Sequence, residues 1–189
     1  DLGMEQPFRA EQVFAFSDHY VPTHTRKGGI PGVKMKDIRG MLELMETNAA
    51  DTGVRLFGWH DENQGILHVV PPEQGITQPG FFICGADSHT STHGAFGNIA
   101  FGVGSSEAAH IMATQCLWQQ RPKTFRINVE GDLPFGVHSK DIILGVIADI
   151  GVGGGVGHAI EFAGSCIEGL TMEQRMTVCN MTIEAAGRM

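Results

Sequence analysis

Short apolar runs that lack polar alternation, set between stretches of helical periodicity, are what most constrain this chain. Val13–Phe16 (VFAF), Ile66–Val70 (ILHVV) and Phe81–Cys84 (FFIC) carry almost no polar residue. A half-wet strand shows one at every second position, so these runs predict strands of a parallel or mixed sheet covered on both faces. Pro71 and Pro72 close the second run, and the turn Gln78–Gly80 opens the third. The helical counterpart is Lys36 to Ala50, where Ile38, Met41, Leu42, Met45 and Ala49 recur at three- and four-residue steps. That spacing predicts an amphipathic helix ending near Gly53, followed by a strand over Val54–Phe57.

Polar residues crowd where the apolar runs end. CGADSHTSTHG, Cys84 to Gly94, brings Asp87, Ser88 and His89 together after Phe81–Ile83; Asp18 and His19 follow Val13–Phe16, and His68 lies within Ile66–Val70. Most strand-to-loop junctions need one or two turn formers, so this density points to acid–base chemistry or metal binding. Neighbours on a regular strand face opposite ways, and on that basis Asp18 and His19 are expected to find partners on other segments rather than each other. The convergent reading is that His19, His68 and His89 meet at the same ends of neighbouring strands, each held by an acid. A carboxylate on one ring nitrogen fixes the tautomer and raises basicity, leaving the other nitrogen to move a proton.

Rival chemistries fare worse. Zinc has no HExxH to sit on, and its ligands would come from three distant segments. Ser88 follows Ala86-Asp87 rather than the GxSxG pattern of a nucleophile elbow. The glycine run Gly151–Gly157 follows a helical pattern and fits neither GxGxxG nor GxxxxGK[ST], so it reads as a turn bringing Ile150 close to His158.

Ser105 or Ser106 is expected to cap a helix reaching about Gln120, with Glu107 in its first turn. After Arg121-Pro122 the texture changes. Phe125, Ile127 and Val129 alternate with polar residues, Ser139 is expected to cap an apolar helix ending at Ile150, and a strand follows over His158–Ala163. Thr171 and Gln174 form a capping box, and Asn180 and Glu184, four apart, fall on one face of a helix. The change at Arg121–Lys123 divides the chain into 1–122 and 123–189.

Lysine and arginine number 13 against 21 aspartates and glutamates, for a net charge of -8, which argues against nucleic-acid binding. Arg26, Lys27, Lys34 and Lys36 are the local exception, a solvated basic face able to meet a small anion. No signal peptide and no run of 18 uncharged apolar residues is present, so the expectation is a soluble, cytoplasmic protein without a membrane partner. The four cysteines Cys84, Cys116, Cys166 and Cys179 are far apart and form no CxxC, as expected for buried thiols. A chain opening on Asp1 without Met and stopping in an apparent helix is expected to be a fragment.

Five motifs, in order, carry a resemblance: DHYVPT (Asp18–Thr23), GILHVVPPEQG (Gly65–Gly75), CGADSHTSTHGAFG (Cys84–Gly97), LPFGVHSKDIIL (Leu133–Leu144) and CNMTIEAA (Cys179–Ala186). Together they resemble the aconitase superfamily, nearest its branch of 3-isopropylmalate dehydratase large subunits. The resemblance implies an α/β chain of aconitase-like three-layer sheet domains, here an incomplete portion of a large subunit. On that reading 1–122 is the first domain and 123–189 the start of the second. It implies a hydro-lyase interconverting 2-isopropylmalate and 3-isopropylmalate in leucine biosynthesis. Homoaconitase and dimethylmalate- or citramalate-type dehydratases are alternatives, as is a cluster-less binding or regulatory protein.

The implied cofactor is a [4Fe-4S] cluster in the complete protein, one iron acting as Lewis acid on the substrate hydroxyl. Its three thiolates, two in a CxxC, are expected beyond Met189, so the metal ligands in this segment are none. By the same resemblance His19 protonates the departing hydroxyl with Asp18 as its acidic companion, His68 is associated with Asp87, and His89 is oriented by Glu184. Asn180 lies near the cluster, and Ser88 completes the DSH motif. The implied partners are a small hydroxy-dicarboxylic acid and a small subunit or swivelling domain carrying the base serine.

Overall fold

The computed structural model describes residues 3–22 and 26–189, so Thr23 of the DHYVPT motif lies outside the described residues. The chain divides into two compact units, 1–74 with 109–117, and 75–108 with 118–189.

In the first unit, β1 (Phe14–Phe16) pairs in parallel with β2 (Arg55–Phe57), matching Phe14 to Arg55 and Phe16 to Phe57. Parallel neighbours require a crossover rather than a hairpin. It contains α1 (Lys36–Thr52), which covers the helix predicted from the apolar spacing and ends at Gly53, whose N–H bonds the Ala49 carbonyl. Leu42 of α1 is buried with Ile30, Val33 and Trp59, and Ile38 packs against them. The Phe16 and Phe57 rings stack with centroids 5.2 Å apart, so the strand register is also a ring register.

Ile66–Val70 is not the strand its composition predicts. The N–H groups of Val69 and Val70 both bond the Ile66 carbonyl at 3.0 Å, a turn that feeds the short helix α2 (Val70–Glu73). Pro71 and Pro72 explain the outcome. Proline cannot donate to a ladder but suits the first turn of a helix, where the N–H has no partner anyway.

In the second unit, β3 (Phe82–Gly85) pairs in parallel with β4 (Ile99–Gly102), matching Cys84 to Phe101. Phe82 is 69% and Ile99 44% exposed, so the described residues do not cover this pair on both faces. After β4 comes α3 (Ser105–Thr114), where Glu107 Oε2 accepts from the Gly104 N–H at 2.9 Å; that carboxylate, not a serine, caps the helix. The helix stops short of Gln120 because Gln115 turns to a φ of 57°.

β5 (Lys123–Asn128) runs parallel to β6 (His158–Ala163), and the predicted alternation holds: Phe125 and Ile127 are half-buried between exposed neighbours. The connection contains α4 (Ser139–Ile150). Its cap residue is His138 rather than Ser139, with Asp141 Oδ2 accepting from the His138 N–H at 2.8 Å. Next come α5 (Ser165–Gly169) and α6 (Met172–Asn180), the latter opened by the predicted Thr171–Gln174 box. Ile143, Ile167, Leu170 and Val178 form the core beneath them.

Residues 188–189 join the two strand pairs of this unit. The Arg188 N–H bonds the His158 carbonyl at 3.0 Å, the Ile160 N–H bonds the Arg188 carbonyl at 2.7 Å, and the Ala100 N–H bonds the Met189 carbonyl at 3.0 Å. The β3–β4 and β5–β6 pairs remain separate two-stranded sheets, with residues 188–189 bridged to β6 and tied to β4 by one hydrogen bond. The Gly151–Gly157 run makes successive turns from α4 into β6. A Cβ on Gly155 would lie 2.7 Å from the Gly187 backbone, so glycine there admits the returning chain.

Candidate active site

β1 ends at Phe16, which places Asp18 and His19 in the following loop, where strand alternation no longer separates them. Contrary to what strand alternation leads one to expect, they bond to each other. Asp18 Oδ1 accepts from the His19 main-chain N–H at 2.6 Å and lies 2.7 Å from His19 Nδ1. Asp18 Oδ2 accepts from the Leu67 N–H at 2.9 Å. One carboxylate thus ties the His19 ring to the turn that carries the buried His68. The Asp18 side chain is 10% exposed and the His19 ring 51%, so a fixed acid holds an open imidazole.

In the second unit the DSH segment opens a 3-10 helix, Ser88–Phe96, with Asp87 as its cap; Asp87 Oδ1 accepts from the His89 N–H at 2.7 Å. The helix lies close on β4. A Cβ on Gly102 would stand 2.5 Å from the Asp87 carbonyl oxygen and 3.0 Å from Ser88 Cα, so only glycine permits this approach. Thr90, Ser91, Thr92 and His93 are its buried residues. His93 serves the packing, its Nδ1 3.0 Å from Thr77 Oγ1 and its carbonyl accepting from Asn98 at 3.0 Å.

His89 sits at a kink, with φ −91° and ψ 19° in the sparsely populated bridge region. Its Nε2 lies 3.1 Å from Glu184 Oε1, its Nδ1 3.0 Å from Ser88 Oγ and 4.0 Å from Asp87 Oδ1. An ionised carboxylate only accepts. The Nε2 therefore carries hydrogen toward Glu184, and in the neutral ring the Ser88 hydroxyl donates to Nδ1.

Asn180 and Glu184 do not share one helix face as their spacing predicts. α6 ends at Asn180, and Met181–Ala185 continue as a 3-10 helix, whose three-residue turn rotates Glu184 away from the position an α-helix would give it. Both side chains nevertheless reach the DSH segment, Glu184 at His89 and Asn180 Nδ2 at Thr92 Oγ1, 2.8 Å away. Sequence reasoning gave Thr92 no role and did not foresee the tie that Ser91 makes. They stand in a run of small hydroxyl residues, and their partner is nearly ninety residues away, so no local pattern marks them.

The thiols are ill suited to an iron–sulfur cluster, which needs thiolates grouped around it. Burial raises the pKa of Cys84, with Arg188 opposing and Glu107 adding to the rise. Burial pushes Cys179 up to about 12 against a weaker pull from Arg175. Cys166 is buried and Cys116 exposed. Among the described residues no three of His, Cys, Asp and Glu stand close enough to hold a metal ion, so they build no cradle for such a cluster. Among the same residues no helix is long and apolar enough to cross a membrane.

Parallel strand pairs linked through helices, with carboxylate-held histidines just beyond β1 and β3, define an α/β protein. The family model described as the aconitase family (aconitate hydratase) matches residues 3–189, and the chain belongs to that family, with its aconitase-like α/β fold. The chain is similar to the 3-isopropylmalate dehydratase large subunit of Roseiflexus castenholzii (strain DSM 13941 / HLO8). The two are 53% identical over 181 residues, an alignment covering 95% of this chain and 38% of that protein. The chain thus spans 38% of the length of the relative it matches.

Proposed function

We propose that these residues belong to a cytoplasmic hydro-lyase that interconverts 2-isopropylmalate and 3-isopropylmalate by loss and return of water, in leucine biosynthesis. The observation that carries this reading is a pair of acid-held rings, His19 on Asp18 at 2.7 Å and His89 on Glu184 at 3.1 Å, in a chain of this family. The substrate is read from the 53% identity to a 3-isopropylmalate dehydratase large subunit.

In the proposed reaction a base outside these residues takes a proton from the carbon beside the carbinol, and the hydroxyl leaves as water with a proton from His19. Asp18 engages Nδ1 of His19, so the proton passes through Nε2, and the carboxylate stabilises the imidazolium when the ring is reloaded. Rehydration reverses the steps at the neighbouring carbon. His89, held on both ring nitrogens, orients rather than shuttles, with Glu184 and Ser88 fixing its tautomer. Asp18, His19, His68, Asp87, His89 and Glu184 are the residues proposed to serve this reaction.

The proposal includes a [4Fe-4S] cluster whose thiolates come from outside these residues. It also includes a small subunit or swivelling domain carrying the base serine, and a division of the chain at 122–123 into two α/β domains. Its test is to purify the complete protein anaerobically with its small subunit and offer 2-isopropylmalate, a homocitrate-type acid and dimethylmalate. The expected result is iron–sulfur absorption and preferred turnover of 2-isopropylmalate. A preference for another acid overturns the substrate assignment, and a protein with no iron–sulfur absorption overturns the cluster-dependent activity.

A further inference from the structure

The Thr92 hydroxyl stands between two partners, 2.6 Å from the His89 carbonyl oxygen and 2.8 Å from the side-chain amide of Asn180. A hydroxyl has one proton, and a carbonyl can only accept. The proton therefore goes to His89, and the contact with Asn180 must be donated by Asn180 Nδ2. This settles which way the amide faces. Its carbonyl oxygen, Oδ1, is therefore turned away from Thr92. Ser91 Oγ adds a second tie, donating to the Asn180 main-chain carbonyl at 3.3 Å.

Thr92 is 3% exposed, so water has little access to replace a lost hydroxyl. Four residues after Asn180, Glu184 holds the His89 ring at 3.1 Å. The junction where α6 gives way to the 3-10 helix therefore grips His89 twice, at its ring through Glu184 and at its backbone through Asn180 and Thr92. The backbone grip falls on the residue where the 3-10 helix is kinked, with a φ of −91° and a ψ of 19°.

We propose that Thr92 is a positioning residue of this site. Its hydroxyl locks the kinked His89 backbone and orients Asn180 so that Oδ1 is an acceptor for a donor group of the bound molecule, a hydroxyl in the case of a hydroxyacid. The functional half of this inference rests on the hydro-lyase reading; the relay itself does not.

The test uses the complete protein with its small subunit. Thr92→Ser keeps the hydroxyl and is expected to hold kcat within about threefold, whereas Thr92→Val, of nearly equal shape, lowers kcat about tenfold or more with a smaller change in KM. Asn180→Asp removes the amide donor, leaving one hydroxyl proton for two acceptors, and is expected to give a similar loss. Combining it with Thr92→Val adds little further loss, because the two changes break one unit.

Amide hydrogen exchange over residues 89–92 separates the relay from the activity, since Thr92→Val is expected to speed it and Thr92→Ser to leave it unchanged. Faster exchange in a protein that turns over no hydroxyacid would reject the hydro-lyase reading and keep the relay. Equal exchange in the two variants, or fully additive losses of kcat, would overturn the relay.

Discussion

Both oxygens of the Asp18 carboxylate are engaged, one by the ring and main chain of His19 and the other by the Leu67 N–H. The residue types at this spot were legible in the sequence, but strand periodicity argued against their pairing; the alternation rule that separates neighbours applies only inside a strand, and β1 stops at Phe16. Glu130 shows the same chemistry in a structural setting. Its Oε2 accepts from the main-chain N–H and the hydroxyl of Ser165 at 3.0 and 2.7 Å, where α5 begins. Those bonds, the main-chain one foremost, hold its carboxyl below the ordinary value of 4.5. The folded state then binds fewer protons than the unfolded chain. The stabilisation is present above that ordinary value and is lost as pH falls through the lower, folded pKa. In the complete protein Glu130→Gln is therefore expected to lower the urea midpoint at neutral pH, with the gap from the parent closing as pH falls below 4.5. A gap of constant size across that range would contradict the account.

Elements with a local signature were readable. The apolar stripe of α1, the alternation of β5 and the Thr171–Gln174 box of α6 each announce themselves within a dozen residues, and each is present. Ile66–Val70 was misread because a short apolar run has no periodicity to tell a buried strand from a turn entering a helix. Pro71 and Pro72 held the deciding information. The 3-10 helix Ser88–Phe96 depends on a feature no pattern displays, the absence of a side chain on Gly102 beneath it. Gly102→Ala is expected to cost about 1–3 kcal/mol, the usual range for overpacking, because the clash is with backbone that cannot rotate aside. It is also expected to disturb His89. Chemical denaturation of the complete protein checks the first point, and an unchanged midpoint would mean that the segment yields without strain.

At the scale of the whole molecule, the α/β class follows from unbroken apolar runs alternating with helices, while strand order does not. Residues 188–189 joining β4 to β6 is a pairing across almost ninety residues on one side and about thirty on the other, set by tertiary contacts alone. The candidate site divides similarly. Its histidines and acids were visible as crowded strand ends, but Thr92 became apparent only through its partner in α6. The ordered motifs matched the family over residues 3–189, and the proposed reaction turns on His19 as the proton donor to the leaving hydroxyl. The most direct measurement is the steady-state turnover of 2-isopropylmalate by the complete two-subunit protein carrying His19→Gln. The account predicts a loss of kcat on the order of 100- to 10,000-fold with KM changed only a few-fold. Turnover equal to that of the parent would contradict it.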